Sequence, residues 1–478
     1  MDLPYVLSSA VRSVPADRRR TVDLELLPVT AKPTITDSRA RGASAALLRH
    51  PTRYAAVFCL LSFTGFWIAQ RAAHVSMVDL LVYRAEGWTV RNAMDLYDMR
   101  ATVHNLPNTY PPFASLLFTP LTFLDTGVMR TFATALNLAL LVALVHLALR
   151  LVGRPRVVPR AAAALSLAGL GVWCEPVWTT LRYGQINLLV TALVLWDLTR
   201  RPGRRGHRWA GVGTGVAAGI KITPALFLVF LALAGLVEAL RRPRPARRFR
   251  NEHLRSAVVG TGAFLTTAVL AGLALPHDSH RYWTEILFAT DRPGDVEGAG
   301  NQNLRGVLAR LLHTPDPGGW WLAAAALVAC AGLATAVAAQ LAEGRLPGNR
   351  AWAAVACGVT ALMVSPVSWS HHWVWAVPMV LLLGAEALRR RTAPWRCLTA
   401  VTALLFCSYM MWYVPHDRTS RVELHQNAGQ MLLTAVYPII GAVFLAVAAR
   451  LTVRALRTPP PHPPGGAPRR TEPSYARG

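Results

Sequence analysis

Residues 111–124, PPFASLLFTPLTFL, decide the topology of this 478-residue chain. The segment is apolar throughout, but Pro111, Pro112 and Pro120 interrupt it. Counted as a spanning helix, it inverts every loop that follows. Counted as an interfacial or re-entrant element, it leaves twelve apolar runs near 54–73, 131–149, 161–178, 185–199, 209–222, 224–240, 256–275, 320–341, 351–367, 372–388, 396–414 and 430–450. A run of about 20 apolar residues crosses a bilayer as a helix, and shorter runs imply tilted or broken spans.

Charge favours the second count. With the N-terminus inside, the turns 150–160, 200–208, 241–255, 343–350 and 389–396 hold 22 Lys and Arg against two acids, Glu252 and Glu343. The segments on the other side hold 12 basic residues and 13 acids over a far greater length. Short Lys/Arg-rich turns stay cytoplasmic. The two long loops, 74–130 and 276–319, are then expected outside, where loop residues can carry function.

Composition agrees. Hydrophobic residues make up 53% of the chain and charged residues only 16%, too little polar surface for an ordinary soluble enzyme. The excess of 50 Lys and Arg over 25 Asp and Glu would suit nucleic acid, but it lies in short blocks between apolar runs, so no nucleic-acid partner is expected. Six cysteines lie in or beside apolar segments without a CxxC, which argues against a disulfide framework or a zinc site. Residues 1–53 read as a disordered cytoplasmic lead-in without a signal-peptide core. Residues 54–452 read as the membrane domain, and 453–478 as a disordered Pro/Arg-rich cytoplasmic tail. The expected protein is a multi-pass, all-α integral protein of the plasma membrane.

Polar residues inside or beside the apolar runs are the candidates for chemistry. Asp79 follows the first run by a few residues, at the outer boundary, where partial desolvation makes a carboxylate a better base. It can equally be a solvated interfacial acid or a helix cap. Tyr110, before the diproline, suits the headgroup zone or a rigid corner. Arg182, Gln185 and Asn187 lie around a short turn at Gly184, where the amides either join helices or read sugar hydroxyls. Lys221 lies between two apolar runs, a costly place for a cation unless it snorkels or meets an anion such as a phosphate. Asn301 and Gln302 follow an acidic stretch with Asp291, Asp295 and Glu297, which has no metal-specifying spacing. His371 and His372 are adjacent rather than four apart, a poor zinc pattern, and suit phosphate binding or a structural role. Asp79, Arg182, Lys221 and the histidine pair come from four segments that the topology gathers on one side. A carboxylate can deprotonate an acceptor hydroxyl while cations hold a departing phosphate.

These segments resemble glycosyltransferase family 87, the polyprenol-phosphate-mannose-dependent mannosyltransferases of the GT-C class. The resemblance rests on Asp79-Leu80-Leu81-Val82-Tyr83, Leu96-Tyr97, Tyr110-Pro111-Pro112-Phe113, Gly184-Gln185-Ile186-Asn187, Lys221 before Pro224, Asn301-Gln302-Asn303-Leu304 and Ser365-Pro366-Val367-Ser368-Trp369-Ser370-His371-His372. It extends over about residues 54–450 and implies a GT-C bundle. It further implies a polyprenyl-phosphate-mannose donor, a cell-envelope glycolipid or lipoglycan acceptor, and inversion to an α-linkage, commonly α-1,2. It makes Asp79 the general-base candidate, with His371 or His372 as a second active-site group. Lys221, Arg182, Gln185, Asn187, Tyr110, Asn301 and Gln302 are then the donor-binding candidates. No cofactor is implied, and a divalent metal stays open. Arabinofuranose transfer from a lipid phosphate shares much of the pattern. A lipid-linked-sugar flippase would put its charges near the midplane in repeated halves, and a non-catalytic scaffold would not need the polar rim.

Overall fold

The apolar runs become helices, but most of them stop short of a full bilayer crossing. The computed structural model describes residues 50–155, 157–200, 207–241, 251–290, 292–417 and 420–458. The chain divides after His50, and everything below concerns the unit that begins at Pro51. Residues 1–49 and 459–478, and Asp291, lie outside the described residues. The expected domain edges at 53 and 453 fall within the first and last helices.

Eighteen α-helices are present among the described residues. They are α1 (Pro51–Ala72), α2 (Val78–Arg91), α3 (Pro112–Phe118), α4 (Thr126–Val152), α5 (Arg160–Gly171), α6 (Glu175–Tyr183), α7 (Asn187–Leu198), α8 (Val212–Ile220) and α9 (Ala225–Arg241). After them come α10 (Glu252–Ala274), α11 (Pro276–Thr284), α12 (Leu304–Leu311), α13 (Gly318–Gln340), α14 (Asn349–Val364), α15 (Ala376–Arg390), α16 (Ala393–Phe406), α17 (Ala428–Thr434) and α18 (Val436–Arg457). A two-residue β-ladder pairs β1 (Arg100–Ala101) with β2 (Leu106–Pro107) in the first long loop.

Among the described residues, five helices are long and apolar enough to cross a membrane: α1, α4, α10, α13 and α18. A sixth crossing is possible if α5 and α6, bent by 78° at their junction, count as one. Twelve spans were expected, several of them short of 20 residues, and by length and apolarity five to six of them stand as full crossings. The reason is local: the run 161–178 is divided at the bend between α5 and α6, and other runs form short helices bounded by polar or proline-containing breaks. Lys221-Ile222-Thr223-Pro224 separates α8 from α9, and Ser365-Pro366 ends α14 before a 3-10 segment at Ser370–Trp375. Helix α14 has only 16 residues, yet Ala351 through Met363 are all buried, the pattern of a helix enclosed by other helices rather than by lipid. Residues 111–124 form α3 and a 3-10 turn at Thr119–Phe123, a short broken element.

Close packing fixes these short helices. α8 lies along α10, α1 along α5, α4 along α7, and α13 along α14. Small residues make the α8–α10 approach possible: a Cβ on Gly215 would lie 2.1 Å from the Gly260 carbonyl oxygen, and one on Gly219 would lie 2.1 Å from Thr267 Oγ1. Outside the helices, a clasp joins the two long loops. Arg281 on α11 reaches Asp95 and Asp98 at 2.8 Å each, Asp278 Oδ1 accepts from the Leu96 amide at 2.9 Å, and Arg292 donates to the carbonyls of Asn108 and Tyr97. Burial alone would raise the Asp95 carboxyl. Backbone amides of Tyr97 and Asp98 and the Arg281 charge instead hold it below the usual carboxylate range.

Candidate active site

The candidate groups meet where helices end. Asp79 stands in the first turn of α2, half-buried. On the same face, four and seven residues further on, stand Tyr83 and Glu86. Gly184, at φ +71°, terminates α6 in the left-handed region, and a Cβ there would lie 2.7 Å from Leu80 Cβ. This tight, glycine-dependent turn brings Gln185 against α2. The Gln185 side chain donates from Nε2 to Asp79 Oδ2 at 2.7 Å, while its Oε1 lies 2.7 Å from Tyr83 OH and 3.0 Å from Tyr110 OH. The two phenols are 2.8 Å apart.

A second group adjoins the first. Lys221, the residue after α8, donates from Nζ to Asn187 Oδ1 at 3.0 Å and lies 2.9 Å from His372 Nε2. With Lys221 as the donor, the imidazole accepts through Nε2 in the tautomer that carries its proton on Nδ1. The same Nζ lies 5.5 Å from the centre of the Tyr110 ring, within cation–π range. Asp79 acts electrostatically on Lys221, so carboxylate and ammonium share one electrostatic neighbourhood. His371 is buried. Its carbonyl accepts from Thr180 Oγ1 at 2.8 Å and from Asn187 Nδ2 at 3.0 Å, and its ring stands edge-on to His372 and Tyr183. Its Nε2 has no hydrogen-bond partner among the described residues.

Lys221, Asn187 and His372 also line a groove of about 500 Å³ whose other walls are mostly apolar, including Val190, Val194, Phe227, Leu362 and Trp375. A cation and an amide set into an apolar groove can hold a molecule with a polar head and a hydrocarbon body. A cavity of about 800 Å³, bounded by Asp197, Arg200, His253 and Arg350, includes none of the candidate groups.

Three candidates lie elsewhere. Arg182, in the last turn of α6, is exposed and has no hydrogen bond or ion pair among the described residues. Asn301 and Gln302, expected to bind a donor, are instead fully buried and bonded to backbone. Asn301 bridges Val296 O and the Ser368 amide, at 2.8 and 3.0 Å. Gln302 donates to Ala299 O and Thr434 O and accepts from the Tyr437 amide. Both hold the loop that carries the histidines, and Asn301 also pairs as an isolated β-bridge with Trp369.

Of the buried carboxyl groups that were not singled out in the sequence, two bear on the site. Glu175, at the start of α6, accepts from Thr179, Ser370 and Trp412 through one oxygen and from Tyr437 through the other, at 2.8–3.0 Å. It thereby ties α6, α18 and the histidine loop together at a helix N-terminus that favours negative charge. An acid within the apolar run 161–178 was the available signal. Glu86 is fully buried, accepts from Ser115 Oγ at 2.9 Å, and leaves Oε1 without a partner. Its place seven residues after Asp79 was the corresponding signal. Among the described residues, no three His, Cys, Asp or Glu side chains group as metal ligands.

Comparison with known proteins bears on what this arrangement serves. Residues 108–366 match the model for glycosyltransferase family 87. A Mycobacterium tuberculosis protein, a polyprenol-phosphate-mannose-dependent alpha-(1-2)-phosphatidylinositol mannoside mannosyltransferase, is 32% identical over 78% of this chain and 86% of its own length. A Mycolicibacterium smegmatis protein of the same description is 32% identical over 86% of this chain and 93% of its own. The solved structure of ArnT from Cupriavidus metallidurans bound to undecaprenyl phosphate aligns over 85% of this chain and 78% of its own, with 14% identity and a TM-score of 0.41. The family match covers more than half of the chain, and it spans Tyr110, Gln185, Asn187, Lys221 and Gln302, so the chain that assembles this site is a glycosyltransferase and belongs to glycosyltransferase family 87.

Proposed function

We propose that this chain moves mannose from polyprenyl-phosphate-mannose to a hydroxyl of a cell-envelope glycolipid or lipoglycan, of the phosphatidylinositol mannoside kind, with inversion to an α-1,2 linkage. The observation that carries the proposal is the meeting of Asp79, held by Gln185, with the Lys221–Asn187–His372 group beside an apolar groove. The relatives named above act on substrates of this class, and the groove suits a lipid-borne phosphate.

In this reading Asp79 accepts the proton of the acceptor hydroxyl as the hydroxyl oxygen bonds to the anomeric carbon. The bond from that carbon to the phosphate oxygen breaks on the opposite face, which inverts the centre. Lys221 balances the charge that returns to the phosphate, where a cation in an apolar setting acts most strongly. His372 and Asn187 fix the ammonium, and the unpaired His371 Nε2 is available to a substrate oxygen. Tyr110 covers Lys221, and Gln185 orients the base. Arg182, exposed near the rim, meets the acceptor or donor headgroup from outside. Asn301 and Gln302 act from behind by holding the histidine loop. We place the site on the extracytoplasmic side of a GT-C-type bundle in the plasma membrane, with both termini cytoplasmic, because the basic turns lie at the other ends of the helices.

The test is transfer by the purified full-length protein in vesicles, with polyprenyl-phosphate-mannose, a phosphatidylinositol mannoside acceptor and linkage analysis of the product. Asp79→Asn is expected to lower kcat by roughly a hundred- to ten-thousand-fold, the usual range for a lost general base, with an unchanged melting temperature. Turnover within about twofold of the parent would remove Asp79 from the reaction.

A further inference from the structure

A pair of thiols lies beside the Glu175 node and outside the groove described above. Cys174 is the residue immediately before Glu175 and caps α6, at the bend where α5 gives way to α6. Cys407 is the residue immediately after α16. The chain separates them widely, yet their segments meet: Tyr409, two residues after Cys407, donates from its hydroxyl to the carbonyl of Trp173, the neighbour of Cys174, at 3.4 Å. A second contact fixes the approach: Cys174 Sγ lies 3.7 Å from the carbonyl oxygen of Phe406, the neighbour of Cys407. Cys174 is buried and Cys407 exposed, and both are free thiols. The other exposed cysteines, Cys330 and Cys397, lie within helices α13 and α16.

We propose that Cys174 and Cys407 form a redox modification site that closes to an intramolecular disulfide. The exposed Cys407 reacts first. Its thiolate attacks a disulfide-type oxidant, forming a mixed disulfide and releasing one thiolate of the oxidant. The Cys174 thiolate then attacks the Cys407 sulfur and expels the second thiolate. Two protons and two electrons leave the pair, and the oxidant is reduced to two thiols. The resulting bond ties the α5–α6 bend to the end of α16. It lies one residue from Glu175, the carboxylate that holds Ser370, Trp412 and Tyr437. The extracytoplasmic orientation proposed above would expose Cys407 to a compartment in which disulfides persist. The inference does not depend on which sugar the enzyme transfers.

The test uses the full-length protein in membranes, oxidised with glutathione disulfide, denatured in the presence of N-ethylmaleimide, digested and analysed by mass spectrometry without reduction. The expected result is a peptide pair joined through Cys174 and Cys407. It is lighter by two hydrogens than the sum of its parts, is lost on treatment with dithiothreitol and is absent from Cys407→Ser. Cys330 and Cys397 carry maleimide throughout. Maleimide on both Cys174 and Cys407 after oxidation, or Cys407 joined to any other cysteine, overturns the proposal. The wild-type protein alone decides the matter, so a Cys407→Ser variant that folds poorly does not weaken the test.

Discussion

Glu86 and Asp79 occupy one face of α2 but have opposite surroundings, and the contrast is informative about both. Asp79 is half-buried and accepts a hydrogen bond from an amide, so its environment supports a carboxylate. Glu86 is enclosed, with Ser115 as its one hydrogen-bond donor among the described residues, and burial, aided by the Asp79 charge, pushes its carboxyl up to about 8 despite that donor. A carboxyl whose folded value exceeds its unfolded value binds a proton on folding, so its contribution is full below about pH 4 and is lost as pH rises through about 8. The melting temperature of the detergent-solubilised protein is therefore expected to fall between about pH 5 and pH 8. Glu86→Gln, neutral at every pH, is expected to flatten that slope and to gain stability over the parent at pH 8. An equal slope in both proteins would show that Glu86 is ionised in the fold. Asp79 and Lys221 stood out in the sequence as charges beside or between apolar runs, each with a bland reading as an interfacial group, and the structure sets them in hydrogen bonds with Gln185 and with Asn187 and His372. The role of Asn301 and Gln302 was not legible, because amides serve equally as ligands or as backbone clamps until the carbonyls around them are known.

Among the elements, α8 shows how little tolerance the short helices have. Gly211, just before the helix, and Gly215 and Gly219 within it recur every four residues and face α10. Gly215→Ala places a methyl group into the Gly260 backbone, which no rotamer change relieves, and overpacking of this kind costs about 1–3 kcal/mol. The expected result is a melting temperature several degrees lower and weaker transfer, since Lys221 follows the end of the helix. Gly262→Ala, on α10 with nothing within 4 Å of the new Cβ, serves as the contrast and is expected to be neutral or slightly stabilising. Equal effects would mean that the close approach is not tight in the protein. Hydropathy located the α8 region but could not tell a nine-residue helix from half of a longer span. The break itself was readable, since Lys221 and Pro224 already separated the runs 209–222 and 224–240, but the close approach to α10 was not, because local sequence carries no record of a packed neighbour. Proline, by contrast, was readable: Pro111, Pro112 and Pro120 marked α3 and its 3-10 extension as a broken element.

For the whole molecule, the orientation set by basic turns is open to a direct measurement. Val103 in the first long loop is 92% exposed, and Glu343, after α13, is exposed. In a background without the exposed cysteines Cys330, Cys397 and Cys407, Val103→Cys is expected to react with an impermeant maleimide in intact cells. Glu343→Cys is expected to react only after permeabilisation. The reverse pattern would place the site in the cytosol and end the proposed reaction with an external acceptor. The candidate groups at Asp79, Gln185, Lys221 and His372 all stand at helix ends or breaks, Gln185 bonded to Asp79 and His372 to Lys221, so the bundle itself fixes the stratum they occupy. Such a stratum has a fixed height, whereas the donor phosphate rides at a level set by the surrounding acyl chains. A bilayer of mismatched thickness would lift or sink the phosphate relative to the ammonium, at a fraction of a kcal/mol per ångström. Lipid chain length would then act as a tuning dial, with turnover peaking at one thickness and declining on either side.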